Sequence, residues 1–377
     1  MRKLKVMSVF GTRPEAIKMA PVVLELKKYS QIESVVAVTA QHREMLDQVL
    51  KLFNIHPDFD LNIMSEGQTL FDITSRALLG LDKVLTAANP DVVLVHGDTT
   101  TTFAGALAAY YHQIEVGHVE AGLRTQNKFS PYPEEMNRRL TGALADLNFA
   151  PTSTAKENLL REGVDANKIF VTGNTVIDAL YQTVRADFEF KHVDITKKVI
   201  LVTTHRRENL GEPMRQVYKA LKSIVEEFPD VEIIFPVHKN PKVREVVNEE
   251  LGKLDRVCLI DPLDYEPFAN LMNKATLILT DSGGVQEEAP ALGKPVLVLR
   301  DTTERPEAVD AGTVKLIGTN QDKVYDATKI LLTNPAEYKK MAEARSPYGD
   351  GHAAERIVKA LLWRHKILDA PPREFTN

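Results

Sequence analysis

The stretch Thr280-Asp281-Ser282-Gly283-Gly284-Val285-Gln286-Glu287-Glu288-Ala289-Pro290 of this 377-residue chain combines small, polar and acidic residues. It follows an apolar run at 275–279, so we predict a buried strand, a tight turn of small residues and the start of a helix. A helix N-terminus carries unpaired N–H groups and a partial positive charge, so this turn could bind a phosphate. Glu287 and Glu288 point about 100° apart on a helix, so only one of them would face ribose hydroxyls there. The alternative is a polar turn with solvated glutamates.

Composition narrows the class of protein. Hydrophobic residues make up 44% of the chain and charged residues 26%, as is typical of soluble globular proteins. The net charge of −5 provides no general attraction to nucleic acid or to an anionic membrane. The single cysteine, Cys258, excludes an internal disulfide and indicates a reducing compartment, and we expect it to be a small core residue. Because no apolar run approaches the ~20 residues of a membrane span or forms a signal-peptide core, we expect a cytoplasmic protein.

Strand-like apolar runs alternate with helical patterns along the whole chain, which predicts parallel sheets with helices on both faces. The predicted strands are 4–10, 34–39, 92–96, 114–119, 147–150 and 169–171, and then 199–203, 231–236, 257–260, 277–280, 296–299 and 314–317. We therefore predict an α/β protein with two doubly wound, Rossmann-like domains at 1–172 and 173–352 and a helical tail at 353–377. Ligands of such sheets bind at the carboxyl ends of strands, so we expect the active site in the cleft between the domains.

Basic residues follow the first predicted strand. It ends in Gly11-Thr12-Arg13-Pro14-Glu15, and Arg13 and Lys18 could reach a diphosphate or simply be solvated at a helix start. The motif is neither a Walker loop nor a G-x-G-x-x-G fingerprint. We therefore predict no bound NAD and no other cofactor.

Acidic residues follow two further strands. Asp98 comes just after the strand 92–96, where it could also cap the next helix. Glu120 comes directly after the strand 114–119, and partial desolvation there suits acid/base chemistry.

A rigid proline-rich turn then opens a helix with two possible ion pairs. Glu134 and Arg138 lie four residues apart on one helical face, and so do Glu135 and Arg139. We expect one of the two to be only a solvated ion pair.

Basic residues also follow strands in the second half. The run Thr204-His205-Arg206-Arg207 could hold a leaving phosphate or be a basic surface turn, and His238 follows the strand 231–236. The histidines do not fall at metal-ligand spacings, so we predict no catalytic metal.

Seven motifs occur in order along the chain. They are Gly11-Thr12-Arg13-Pro14-Glu15, His96-Gly97-Asp98-Thr99, Gly117-His118-Val119-Glu120-Ala121-Gly122-Leu123-Arg124, Pro133-Glu134-Glu135, Thr204-His205-Arg206-Arg207-Glu208-Asn209, Asp281-Ser282-Gly283-Gly284 and Arg300-Asp301-Thr302-Thr303-Glu304-Arg305-Pro306. Together they resemble the bacterial non-hydrolysing UDP-N-acetylglucosamine 2-epimerases over essentially the whole chain. The resemblance implies a glycosyltransferase-B-type fold, a nucleotide held mainly by the C-terminal domain, and a tail helix that returns to the N-terminal domain.

The resemblance also implies an activity and a set of site residues. The activity is the interconversion of UDP-GlcNAc and UDP-ManNAc for teichoic acid or capsule polysaccharides, in relatives that are usually homodimers. The implied catalytic residues are Asp98, Glu120, Glu134, Arg138 and His205. The implied contacts to UDP are Arg13, Lys18, Leu263, Phe268, Ser282, Gly283, Gly284, Glu288 and Arg305. Leu263 stands where some relatives have Gln, so its contact would be through the backbone.

Some members of the resembled family need a second UDP-GlcNAc as an activator. The matching residues here are Gln41, His42, Arg206 and His238. Allosteric relatives carry an arginine where this chain has Gly67, so we expect weaker activation.

The chemistry of the sugar favours one route. C2–H of GlcNAc has no neighbouring carbonyl to acidify it, so the remaining route is loss of UDP from C1. The C1–O and C2–H bonds of the α-gluco chair are both axial on opposite faces, which suits anti elimination to 2-acetamidoglucal. Re-addition of UDP then needs acid/base groups near both faces of C2.

Three other functions remain open from the sequence. They are a hydrolysing relative that releases ManNAc and UDP, a glycosyltransferase of the same fold, and a non-catalytic UDP-sugar sensor.

Overall fold

The computed structural model describes residues 2–41, 43–190, 194, 196–206 and 209–376. The chain divides into two compact units, Met1–Gln182 with Tyr348–Thr376, and Thr183–Pro347. Each unit holds its own parallel sheet flanked by helices, so the prediction of two Rossmann-like α/β domains is confirmed.

The first unit is built on a sheet that has seven strands within the described residues, in the order β3-β2-β1-β4-β5-β6-β7. Its elements are β1 (Leu4–Phe10), α1 (Arg13–Leu26), β2 (Ile32–Val38), α2 (Arg43–Leu52), β3 (Phe59–Asp60), α3 (Leu70–Ala88), β4 (Val92–His96), α4 (Thr100–Tyr111), β5 (Glu115–Val119), α5 (Glu134–Leu144), β6 (Leu147–Ala150), α6 (Ser153–Arg161), β7 (Ile169–Val171) and α7 (Thr175–Thr183). The central strands are buried on both faces, which explains why they read as continuous apolar runs.

The second unit repeats the plan with six strands in its described residues, in the order β10-β9-β8-β11-β12-β13. Its elements are β8 (Lys198–Thr203), α8 (Glu212–Glu227), β9 (Val231–Pro236), α9 (Pro241–Leu251), β10 (Val257–Ile260), α10 (Tyr265–Lys274), β11 (Leu277–Thr280), α11 (Gly283–Ala291), β12 (Val296–Val298), α12 (Pro306–Asp310), β13 (Val314–Leu316), α13 (Gln321–Thr333) and α14 (Pro335–Ala342). One apolar core lies between this sheet and the helices on one face, with the fully buried Tyr218 and Phe235 among its largest side chains.

Each sheet has one point at which the strand order reverses. In the first unit β1 pairs with β2 on one side and β4 on the other. In the second unit β8 pairs in the same way with β9 and β11. Open α/β sheets bind ligands at the carboxyl ends of the strands that flank such a reversal point.

The boundary between the two domains differs from the predicted one, because the chain returns to the first unit. We predict the second domain to begin at residue 173, whereas the division falls after Gln182, so most of α7 belongs to the first unit. The cause is a set of contacts with the returning chain. Asp178 on α7 accepts the N–H groups of Ala353 and Ala354 at 3.2 and 2.8 Å.

The tail forms the helix α15 (Ala353–Arg364) and belongs to the first unit. Its Trp363 ring packs edge-on against Phe170 of β7, with centroids 5.9 Å apart. Beyond the helix, the Phe375 N–H donates to the carbonyl of Val171 at 2.8 Å. This bond pairs the end of the chain with β7, which otherwise would be an open edge of the sheet.

Two details differ from the prediction. Strand β3 has only two residues and is too short to show as a strand-like run. Cys258 is half-buried on β10, an edge strand of its sheet, rather than part of the core. Among the described residues, no helix is both long and apolar enough to cross a membrane.

Candidate active site

Two candidate acidic residues of the first unit follow adjacent strands of its sheet. Asp98 follows β4, and Glu120 follows β5. Arg138 reaches the same place from α5, where its Nη1 lies 2.6 Å from Oδ2 of Asp98. The sheet therefore gathers residues that are 40 positions apart in the chain.

Two opposing influences act on the pKa of Asp98. Burial raises the pKa of Asp98, and the Arg138 guanidinium lowers it only in part. The backbone carbonyl of Asp98 accepts the side-chain amide of Asn137 at 2.9 Å. Thr99, not Asp98, caps α4, because its hydroxyl accepts the Thr102 N–H at 3.1 Å. The capping role considered for Asp98 is therefore wrong.

Glu120 accepts hydrogen bonds from side chains of other elements. Nζ of Lys18 and Nδ2 of Asn174 both donate to its Oε2, the amide at 2.8 Å, and Nε2 of His96 lies 3.9 Å from the same oxygen. Its backbone φ of +63° lies in the left-handed region, which costs a non-glycine residue roughly 1–2 kcal/mol. Such strain is common where a side chain must be aimed at a site. Lys18, an implied UDP contact, thus binds a candidate catalytic carboxylate in this structure.

The ion pairs of α5 differ from the predicted pairing. Glu135, which is fully buried, accepts from Arg138 at 3.1 Å and from Arg139 at 3.2 Å. Arg138 therefore bridges Glu135 and Asp98 instead of pairing with Glu134, and the Glu135–Arg139 pair is not a solvated one. Glu134 is half-buried, and its Oε2 has no hydrogen-bond partner among the described residues. This leaves Glu134 available to a ligand.

Glu15 ties two strand-end loops together. Its Oε2 accepts the N–H groups of Gly11 and Thr12 and the Thr12 hydroxyl at 3.1, 2.9 and 2.7 Å. Its Oε1 accepts the hydroxyls of Thr99 and Thr102 at 2.7 and 3.2 Å. Burial raises the pKa of Glu15, and these hydrogen bonds oppose that rise.

The remaining candidates of the first unit lie around the same loops. Arg13 is the first residue of α1 and is half-buried. Gln41 follows β2, and its Oε1 lies 3.4 Å from the Thr101 hydroxyl. His42, the other activator candidate of this unit, lies outside the described residues.

A buried carboxylate also organises the second unit. Asp281 follows β11 directly and is fully buried. It accepts the backbone N–H groups of His205 and Arg206 at 3.0 and 2.9 Å and lies 3.1 Å from Nδ1 of the His205 ring. Burial alone would raise the pKa of Asp281, but the bonds from His205 and Arg206 outweigh it and lower the pKa. Nδ1 of His205 thus faces Asp281, which leaves Nε2 as the ring nitrogen that can meet a ligand.

The predicted strand, turn and helix at 275–290 are confirmed. Ser282 is the N-cap residue of α11, which begins at Gly283. The Arg206 guanidinium and the Arg300 guanidinium both bind Glu304, at 3.2 and 2.7 Å. A Cβ on Gly283 would lie 3.2 Å from Oε1 of Glu304, so a carboxylate oxygen lies close to the start of α11.

Glu287 and Glu288 have different surroundings, as predicted from their positions on the helix. Glu287 is buried and binds Nε of Arg305. Glu288 is half-buried, and its Oε2 accepts the hydroxyl of Tyr265 at 3.1 Å. Arg305, an implied UDP contact, is therefore held by the glutamate that we did not assign to the nucleotide.

The last candidates of the second unit are Leu263, Phe268 and His238. Leu263 and Phe268 are half-buried, the latter on the first turn of α10. His238 follows β9, and its ring stacks on that of His205 with centroids 6.3 Å apart. Across the described ranges, no group of three or more histidines, cysteines or carboxylates is arranged to hold a metal ion.

Comparison with known proteins identifies the family. Residues 24–362 match the family model described as UDP-N-acetylglucosamine 2-epimerase. A UDP-N-acetylglucosamine 2-epimerase of Bacillus subtilis (strain 168) is 63% identical to this chain, over 100% of both proteins. The chain belongs to the UDP-N-acetylglucosamine 2-epimerase family.

Solved structures of such epimerases share the fold. The chain resembles the Staphylococcus aureus MnaA–UDP structure with a TM-score of 0.89 and 51% identity, covering 100% of each chain. It resembles a UDP-GlcNAc 2-epimerase from Neisseria meningitidis bound to UDP-GlcNAc with a TM-score of 0.85 and 52% identity, covering 95% of this chain and 100% of the other.

Sequence reasoning missed three residues that support the candidate site. They are Glu15, Asn174 and Asp281, which contact neighbouring loops or candidate residues. Glu15 and Asp281 stand inside quoted motifs, but the partners of a buried carboxylate come from loops distant in the chain. Asn174 follows β7 and could have been found as a polar residue at a strand end.

Two buried histidines predict that the epimerase loses folding stability as the pH falls. Burial lowers the pKa of His118 to about 4 and that of His96 to about 3. In the unfolded chain both titrate near ~6.5, so below that pH the unfolded state binds more protons. The stability is therefore fully present above pH ~6.5 and is lost as the pH falls towards 4, by up to about 1.4 kcal/mol per pH unit for each ring.

We expect His118→Asn to flatten the pH dependence of the free energy of unfolding between pH 6.5 and 4.5, measured by urea titration at several pH values. His56→Asn serves as the control, because the His56 ring is exposed to water in the folded protein. An unchanged slope in His118→Asn would contradict the assignment of a buried, neutral His118.

Proposed function

We propose that this epimerase interconverts UDP-GlcNAc and UDP-ManNAc without hydrolysing them. The observation that carries the proposal is the grouping of Asp98, Glu120 and Glu134, because the charges of the two glutamates both act on Asp98, in a chain of the UDP-N-acetylglucosamine 2-epimerase family. A sensor would bind the nucleotide without needing three carboxylates in one place. The relatives from S. aureus and N. meningitidis hold UDP and UDP-GlcNAc, which supports the choice of ligand.

The reaction proceeds by elimination and re-addition. The C1–O bond breaks with its electron pair leaving on UDP, while a base removes the C2 proton and the C1–C2 double bond of 2-acetamidoglucal forms. UDP then adds back to C1, and an acid protonates C2 from the opposite face to give the manno epimer. No oxidant and no external water are consumed.

The carboxylates of the first unit are suited to different parts of this cycle. Burial favours a protonated Asp98 and so a proton donor. The Lys18 ammonium and the Asn174 amide donate to Glu120, which suits an ionised carboxylate that accepts a proton. Two acid/base groups in different surroundings are what a proton exchange at both faces of one carbon needs.

The second unit is suited to hold UDP. The first N–H groups of α11, which do not donate to the Ser282 side chain, favour a diphosphate, and Nε2 of His205 can donate to it. Arg305 adds a positive charge, and Glu288 can accept ribose hydroxyls. Phe268 would flank the uracil, with the backbone of Leu263 beside it. These donors stabilise the negative charge that develops on the departing UDP.

We place this activity in the cytoplasm, in a homodimer that supplies ManNAc units for teichoic acid or capsule polysaccharides. The single cysteine, the absence of a disulfide pair and the nucleotide-sugar substrate support that setting.

Turnover in D₂O tests the function. We expect UDP-GlcNAc to give UDP-ManNAc carrying deuterium at C2, detected by NMR and mass spectrometry. Free ManNAc would instead show a hydrolase, and no change without an acceptor would show a transferase or a sensor.

Asp98→Asn, Glu120→Gln and Glu134→Gln should each lower turnover by about 10²-fold or more while leaving UDP affinity nearly unchanged. Glu157→Gln, at an exposed position of α6, should leave turnover unchanged.

UDP affinity distinguishes the two adjacent glutamates of α11. Glu288→Ala should weaken binding about tenfold to hundredfold, because it removes charge-assisted hydrogen bonds to the ribose. Glu287→Gln should weaken it less, because Glu287 contacts Arg305 rather than the nucleotide and glutamine keeps an acceptor for that arginine. Isothermal titration with UDP measures both constants. The opposite ranking would show that Glu287, not Glu288, faces the nucleotide.

We also propose that a second UDP-GlcNAc activates the enzyme through Gln41, His42, Arg206 and His238. Arg206 and His238 follow neighbouring strands of the second unit, and His238 stacks on the candidate catalytic His205. Gly67, where allosteric relatives carry an arginine, has a left-handed backbone. Its φ of +67° favours glycine, so an arginine at this position would be strained.

Initial rates test the activation. They should rise sigmoidally with UDP-GlcNAc, and pure UDP-ManNAc should react slowly until a trace of UDP-GlcNAc is added, because an activator must favour the active conformation. Hyperbolic curves for both substrates, with no lag from UDP-ManNAc, would exclude a working second site.

A further inference from the structure

Asn174 joins three parts of the first unit. It lies between β7 and α7 and is buried, with 3% of its surface exposed. Its Nδ2 donates to Oε2 of Glu120 at 2.8 Å, and its Oδ1 accepts the N–H of Val176 at 3.0 Å. Its own backbone N–H donates to the carbonyl of Tyr348 at 2.6 Å.

These contacts determine which way the amide points. An asparagine side chain has one acceptor end and one donor end. The acceptor end is occupied by a backbone N–H, which can only donate, so the donor end must face the carboxylate of Glu120. The orientation therefore follows from the partners on both sides of the amide.

The returning chain holds the backbone of Asn174 in place. Tyr348 is the first residue of the segment that comes back to the first unit. Gly173 has a φ of +84°, and a Cβ there would lie 3.3 Å from Cα of Gly349. A side chain at position 173 would therefore push apart the two chain segments that place Asn174 beside Glu120.

We propose that Asn174 is a positioning residue for the epimerase reaction, which holds the Glu120 carboxylate in its productive orientation and in its ionised form. The inference rests on the proposed function, in which Glu120 exchanges the proton at C2. Asn174 donates to the same oxygen as Lys18, so the carboxylate is held from two directions. Rotation of the carboxylate would break both bonds.

A purely structural role is the competing explanation. The bond from Val176 is the kind that caps a helix, and such a cap stabilises α7 whether or not Glu120 takes part in catalysis. The two roles use opposite ends of one side chain, so one substitution can separate them.

The substitution Asn174→Asp separates the positioning of Glu120 from the capping of α7. It keeps an acceptor for the Val176 N–H and replaces the donor to Glu120 with a second carboxylate oxygen. We expect kcat to fall about tenfold to hundredfold, with KM and UDP affinity within about threefold of wild type. The acid limb of the pH profile of kcat/KM should move up by about one pH unit, because Glu120 loses a donor and gains a negative neighbour. The melting temperature should fall, because the new carboxylate is buried beside Glu120, so kcat is measured well below the unfolding transition.

Asn174→Ser is the second variant, for use if Asn174→Asp does not fold. A serine hydroxyl can still cap α7 but is too short to reach Glu120, so the same fall in kcat is expected. Asn320→Asp is the matched control, because Asn320 caps α13 by accepting the Lys323 N–H at 3.1 Å and is exposed. It should leave kcat and the pH profile unchanged.

The double variant Glu120→Gln/Asn174→Asp measures how far the effects of the two substitutions on kcat depend on each other. If Asn174 acts through Glu120, its substitution should cost little more once Glu120 is already changed. Normal kcat and an unshifted pH profile in Asn174→Asp, or a full additional loss in the double variant, would overturn the proposal. Failure of the function itself looks different: wild type would show no epimerisation, or Glu120→Gln would keep full activity.

Discussion

A carboxylate buried at each strand reversal holds the loops that carry the candidate site. In the first unit Glu15 accepts from backbone and hydroxyl groups of the loops after β1 and β4. In the second unit Asp281 accepts the backbone of the loop after β8. An unpaired buried carboxylate is costly, so each of these loops must keep its donors turned inward for the fold to be stable. The positions of Arg13, Asp98, His205 and Arg206 follow from that requirement, because each is next to or near a donor.

Charge is balanced locally rather than over the whole surface. The net charge of −5 would repel an anionic substrate at long range. Within the first unit, however, Arg138 bridges Asp98 and the buried Glu135, while Lys18 binds Glu120. In the second unit Arg305 is held by Glu287, and Arg206 by Glu304. These cations are positioned before a ligand arrives, which lowers the cost of organising them around a diphosphate.

The segment of the chain that returns to the first unit has two effects on that unit. Asp178 holds the start of α15, and Tyr348 holds the backbone of Asn174 beside Glu120. The tail therefore supports both the stability of the first unit and the geometry of its candidate catalytic carboxylate. Residues far from any motif, including Gly173 and Gly349, are constrained by the same crossing.

Local sequence patterns were sufficient to predict the fold class and most elements. Buried parallel strands read as apolar runs, and the predicted strand bounds agree with the structure to within two residues, as for β4, β6 and β9. The sequence also located the loops of the candidate site, because polar residues directly after such runs must lie at the carboxyl edge of a sheet.

Only the tertiary structure decided which residues meet. Arg138 could have paired with Glu134 by helical spacing, but the position of α5 beside β4 and β5 gave it Asp98 and Glu135 instead. Asn174 and Tyr348 are brought together by the return of the chain, and no local pattern records a contact between residues so far apart. Local periodicity reports which face of an element is buried, whereas the partner on that face depends on the packing of the whole unit.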